Sequence, residues 1–171
     1  MTFLELAKDR YSVRAYKDQP IEDEKLNAIL EAGKAAPTAC NFQPQKIYVV
    51  KSEENRNKLA EICKCTFKAP VILVIAYDKN RAWKNKLMPG YNSGETDTAI
   101  VTTHIMQEAW EQGIGSCGVG MFNADQVSAA LNLPEDVLVT ALMPIGYPVD
   151  DAEPIGLHFA SRENEDMVEI L

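Results

Sequence analysis

Arg10-Tyr11-Ser12-Val13-Arg14 places two guanidinium groups and a hydroxyl at alternate positions. In an extended stretch all three project to one side. Arginine binds phosphate in bidentate fashion and serine adds a neutral donor, so anion binding is the chemistry this spacing suits. Alone, the same residues also describe an exposed basic turn. A second cluster is Ala36-Pro37-Thr38-Ala39-Cys40-Asn41-Phe42-Gln43-Pro44. Its prolines stiffen the loop, and Thr38, Asn41 and Gln43 offer donors and acceptors to the edge of something planar and polar. Taken alone, it reads more simply as a helix-to-strand connection. A third is Gly113-Ile114-Gly115-Ser116-Cys117-Gly118-Val119-Gly120, where four glycines let backbone approach a ligand closely. It follows a helix, unlike a dinucleotide fingerprint, and lacks the Gly-Lys-Ser/Thr ending of a phosphate-binding P-loop.

The elements that position these clusters follow from capping and periodicity. A helix is expected over 3–9, with Thr2 and Glu5 forming a capping box. A second over 22–36 opens on Glu22, Asp23 and Glu24 and stops at Pro37. Residues 46–51 read as a strand, 53–63 as a helix, and 70–77 as a strand buried on both faces, because its run is almost unbroken and β-branched. The longest helix is expected over 97–112, ending at Gly113. A short helix near 124–131, capped by Asn123, and a strand over 137–145 follow. Segment 78–95 is a long loop holding Trp83 and Tyr91, either a cover over a site or a disordered stretch. The tail from 147 is polar and irregular. Helices and strands mix without regular βαβ alternation, which is the α+β class, with a central sheet flanked by helices.

The 171 residues, 46% apolar, suffice for one core and give a single domain over 1–171. A net charge of −8 argues against nucleic acid as a partner. No apolar run is long enough to cross a membrane. The acidic start Met1-Thr2-Phe3-Leu4-Glu5 is unlike a secretion signal, so a cytoplasmic protein is expected. Cys63 and Cys65 lack the spacing and partners of a zinc site, so no metal is assigned and the four cysteines read as free thiols. His104 and His158 read as packed or surface residues, and no catalytic side chain is named.

Together, Arg-x-Ser-x-Arg, then Ala-Pro-Thr-x-x-Asn-x-Gln-Pro, then Gly-Ile-Gly-Ser-Cys-Gly-Val-Gly after a long helix resemble the nitroreductase family. Ile145-Gly146-Tyr147-Pro148 and Arg162 extend the likeness over nearly the whole chain. The resemblance implies an α+β sandwich with a mainly antiparallel sheet, forming an intertwined homodimer with flavin mononucleotide (FMN) shared between subunits. It implies that Arg10, Ser12 and Arg14 hold the cofactor from one subunit, and Pro37, Thr38, Ala39, Asn41 and Gln43 from the other. The backbone of Gly118 to Gly120 would approach the flavin ring, Arg162 would return to the phosphate, and Arg14 or a backbone donor would stabilise charge on the reduced ring. The implied activity is hydride transfer from NAD(P)H and reduction of a nitroaromatic, quinone or other small oxidant by a ping-pong mechanism. The alternative is an FMN carrier or sensor with little turnover. This chain departs from the family pattern at Tyr11, where a basic residue is common, and at Thr38, where serine is usual. Its tail is acidic and Arg162 is the only cation there.

Overall fold

A computed structural model describes residues 1–171. Four strands make one antiparallel sheet: β1 (Gln45–Val50), β2 (Val71–Asp78), β3 (Gly115–Ser116) and β4 (Val137–Gly146), in the order β1-β2-β4-β3. Five α-helices flank it: α1 (Phe3–Asp9), α2 (Asp23–Ala35), α3 (Glu53–Ile62), α4 (Gly94–Glu111) and α5 (Ala124–Ala130). The α+β expectation holds, and most boundaries fall within a residue or two of those expected.

The run from Val71 to Tyr77 is buried throughout, as its composition demands. Alternation divides it between two cores. Val71, Leu73 and Ile75 pack with Met143 and Ile145 against Leu26 and Ile29 of α2 and Val101, Ile105 and Ala109 of α4. Ile72, Val74 and Ala76 face the opposite side, with Leu59 of α3 and Val127 of α5. The result is three layers, with the sheet between two helix pairs. Where α2 crosses α4, a β-carbon at Gly33 would lie 2.9 Å from Ile105, so glycine permits that approach.

Three features differ from the sequence reading. Helix α4 begins at Gly94, one turn before Asp97, because Asn92 Oδ1 accepts the Gly94 amide at 2.9 Å and starts the helix earlier. The glycine-rich segment contributes a strand, Gly115–Ser116, paired to Ile145 and Gly146. Segment 79–93 is folded: Lys84 bridges Asn92, the Ser93 amide bonds Trp83 O at 2.9 Å, and Ala82 is buried. The tail beyond 147 carries two short 3-10 turns, Gly156–Phe159 and Asn164–Asp166. No helix is long and apolar enough to cross a membrane.

Candidate functional site

Helix α1 carries its expected capping box, Thr2 with Glu5, and stops at Arg10, where the backbone turns extended. The chain then runs beside β3. Ser12 bridges Ser116 in parallel, and the Val13 amide bonds Ser116 O at 3.0 Å. The first and third sequence clusters are thereby joined. Alternation works as expected: Val13 is fully buried, while Arg10, Ser12 and Arg14 line a small open cavity with Ile155 and Leu157 from the tail. Gly115 makes the pairing possible, since a β-carbon there would fall 2.6 Å from Val13 Cγ2.

Several contacts hold this extended segment in place. The Tyr16 hydroxyl lies within donating distance of two carbonyls, Val13 O at 2.7 Å and Pro144 O at 3.1 Å. Burial, reinforced by the neighbouring Cys117, pushes the Tyr16 phenol far above its ordinary range, so it remains a neutral donor. Tyr11, where the family often has a base, stacks edge-on against Trp110 of α4 with ring centroids 5.1 Å apart. Its hydroxyl reaches Ala152 O at 3.0 Å, and Trp110 Nε1 donates to Asp9 at 2.8 Å. Tyr11 is thus a packing anchor.

Two buried polar atoms here lack a partner, Arg10 Nε and Ser116 Oγ. An unsatisfied buried donor costs about 1–3 kcal/mol, more when charged, so orphans of this kind mark strain or a ligand position. Cys117 lies next to them, and burial raises its thiol; the Arg14 guanidinium and a bond with Ser12 oppose the shift only in part. It is a packed thiol, not a nucleophile. Of the remaining glycines, Gly120 has nothing within 4 Å of a notional β-carbon and Gly118 only Met106 Sδ at 3.8 Å. Their backbone borders free space.

The second cluster is a strained loop. After Pro37, Ala39–Asn41 form a 3-10 turn, and Cys40, Asn41 and Gln43 take φ values of 50°, 54° and 48°. Left-handed backbone costs a non-glycine residue roughly 1–2 kcal/mol, so the loop holds a few kcal/mol of strain. Local bonds offset part of it: the Gln43 amide donates to Thr38 Oγ1 at 3.1 Å, and Gln43 Nε2 to Asn41 Oδ1 at 2.9 Å. A tertiary bond adds to these, from the Ala39 amide to Asp97 Oδ1 at 2.9 Å. Asp97 is 2% exposed, and its other oxygen accepts Ser93 Oγ at 2.6 Å.

The two clusters do not meet in one chain. Tyr11 rests on Trp110 and Ala39 hangs from Asp97, both on α4. Thirteen residues at 1.5 Å rise separate those contacts by about 20 Å.

The nitroreductase family model matches residues 7–69 and 64–147, which hold every cluster described so far. The chain belongs to the nitroreductase family. A nitroreductase family protein of Clostridium difficile 630 shares 34% identity with this chain at a TM-score of 0.91, covering 99% of this chain and 98% of that one. An FMN-dependent nitroreductase of Clostridium difficile R20291 is 25% identical at a TM-score of 0.80, covering 98% of each chain. The FMN reductase (NAD(P)H) of Bacillus subtilis strain 168 is 29% identical over 159 residues, covering 83% of this chain and 64% of that protein.

Among nitroreductase-family features expected from sequence, Arg162 stands apart. It is exposed in the tail and donates from Nη2 to Asp166 O at 2.6 Å. It does not line the cavity around Arg10. His104 bonds Ile100 O one turn back at 3.0 Å, a structural position. Asp97 is the residue that sequence reasoning passed over. Its only local signal was an acid at the start of the longest helix, which reads as an ordinary N-terminal charge.

Proposed function

We propose that this nitroreductase-family chain is an FMN-dependent oxidoreductase over 1–171, taking a hydride from NAD(P)H and reducing a nitroaromatic, quinone or other small oxidant. The observation that carries the reading is the orphaned Nε of Arg10, set beside Ser12 and Arg14 in an open cavity. A dianionic phosphate supplies the acceptors that this guanidinium lacks. The unfilled backbone flank of Gly118 and Gly120 fits a flat ring, so the residues present suit FMN. Relatives named for FMN and NAD(P)H support the same assignment.

FMN, when bound, supplies hydride acceptance and onward electron transfer. The chain's own residues bind and orient. Arg10 and Ser12 hold the phosphate, with Arg162 as a further candidate once the tail is rearranged. Arg14 would hold a positive charge beside the bound flavin, where it would favour the charge of the reduced cofactor. Pro37, Thr38, Ala39, Asn41 and Gln43 present backbone and amide groups to the other side of the cofactor. No side-chain acid or base is required.

The site is completed by a second copy. The cavity around Arg10 is about 190 Å³, below the roughly 300–1,000 Å³ of pockets that enclose small ligands. The Thr38 loop stands too far away to close it. Helix α1 buries none of its residues, and Phe3, Leu4, Leu157, Phe159, Ile170 and Leu171 are all exposed. These exposed apolar side chains supply surface for an interface, which an intertwined homodimer would cover. Light scattering with FMN titration should give a dimer carrying two FMN; a monomer holding one FMN tightly would reject the shared site. A cytoplasmic location accords with this chemistry.

One pocket serving donor and oxidant in turn makes the mechanism ping-pong. Steady-state rates against NAD(P)H at several concentrations of a quinone should give parallel double-reciprocal lines. Intersecting lines would replace this with a ternary complex. Bound FMN with negligible turnover would favour a carrier or sensor.

A further inference from the structure

We infer that Asp97 is a positioning residue, holding the strained loop Thr38–Gln43 in its ligand-accepting form through the Ala39 amide. The inference rests on the reading above that this loop contacts FMN.

A buried carboxylate is retained only where its charge is compensated. None of the five ion pairs in the chain involves Asp97. Its compensation comes from two neutral donors, Ser93 Oγ at 2.6 Å and the Ala39 amide at 2.9 Å, and from the first turn of α4, whose N-terminal end favours negative charge. One oxygen faces each donor, so the carboxylate is a two-pronged clip. One prong holds Ser93, which ends the folded segment 79–93 and is itself tied to Trp83. The other holds Ala39, the residue just before the left-handed Cys40 and Asn41.

The loop needs such a clip. Its other side-chain bonds, Gln43 to Thr38 and Gln43 to Asn41, lie wholly within it and cannot fix it against the protein. At its far end the Asp78 amide bonds Pro44 O at 2.9 Å, so β2 anchors the exit while Asp97 anchors the entry. With the entry released, Cys40 and Asn41 relax from left-handed backbone, and the groups facing the cofactor disperse. A loop that must reorganise before binding loses affinity by the fraction of time it is competent.

The test compares wild type, Asp97→Ala and Asp97→Asn as full chains, by amide hydrogen exchange without ligand and by FMN titration. Asparagine keeps an acceptor for Ala39 and can donate to Ser93. Asp97→Ala should exchange faster at Ala39–Gln43 than wild type and bind FMN at least tenfold more weakly, with exchange in β2 unchanged. Asp97→Asn should stay within about fivefold of wild type in FMN affinity. An alanine variant with wild-type exchange in the loop, or faster exchange with unaltered affinity, overturns the proposal; so does an asparagine variant as weak as alanine. If Asp97→Ala does not fold, Ala39→Pro removes the donated bond while Asp97 stays in place, at a position whose predecessor Thr38 is already extended. That variant should show the same tenfold loss, and wild-type affinity in it would overturn the proposal. Wild-type protein that never retains FMN rejects the flavin reading itself and the ligand assigned to the loop, while exchange still reports whether Asp97 anchors it.

Discussion

Arg10→Ala is expected to weaken FMN binding about 100-fold, equivalent to about 3 kcal/mol, from the loss of charge-assisted bonds worth about 1.5–3 kcal/mol each. The effect is large because Arg10 is already committed. Its Nε is buried and has no partner in the protein, so the desolvation of that N–H is incurred before any ligand arrives. A ligand anion then recovers that cost. Arg14 is more exposed and spends one Nη on Ser12 O at 2.9 Å, so Arg14→Ala should lose less affinity and act more on the rate of flavin reduction. Arg10→Lys should recover only part of the loss, because a lysine lacks the planar fork. Quenching of FMN fluorescence on titration measures all three. An Arg10→Ala affinity within threefold of wild type would remove Arg10 from the site.

The second large effect concerns stability. Leu73→Ala should destabilise the protein by about 3 kcal/mol, within the roughly 2–5 kcal/mol range for emptied leucine sites. Leu73 is fully buried at the middle of β2, opposite Val49 on one side and Met143 on the other. Helices α2 and α4 close over it, so neighbours cannot collapse into the gap. Leu138→Ala on β4, where the side chain is 41% exposed, should cost less than about 1 kcal/mol. Urea denaturation compares the two at one fixed protein concentration, because the stability of the proposed dimer would depend on it. Equal losses would mean that β2 is not the centre of the core.

What was legible in the sequence was whatever is encoded locally. The unbroken apolar run after Pro70 marks a strand buried on both faces, and it proves to be one of the two inner strands separating two cores. The alternation of Arg10, Ser12 and Arg14 carries over because Val13 is buried between them. Thr2 with Glu5 and Asn123 with Gln126 place helix starts correctly.

What was not legible depends on contacts distant in sequence. Asp97 and Ala39 are 58 residues apart, and nothing near either one announces a bond. Gly115 looks like a ligand-facing glycine, yet its reason is the Val13 side chain arriving from an extended segment about a hundred residues earlier. The folding of segment 79–93 rests on short backbone bonds, such as Ser93 to Trp83, that polar loop composition does not signal. The proposed sharing of a site between two copies rests on the length of α4 and on what sits at each end of it, which no local pattern signals.

The most direct test of the account is a visible spectrum of purified protein, desalted after incubation with FMN, recorded before and after anaerobic addition of NADH or NADPH. FMN-dependent hydride transfer gives a yellow protein whose flavin absorbance bleaches within seconds of adding the nicotinamide. A colourless protein that never retains FMN would contradict it.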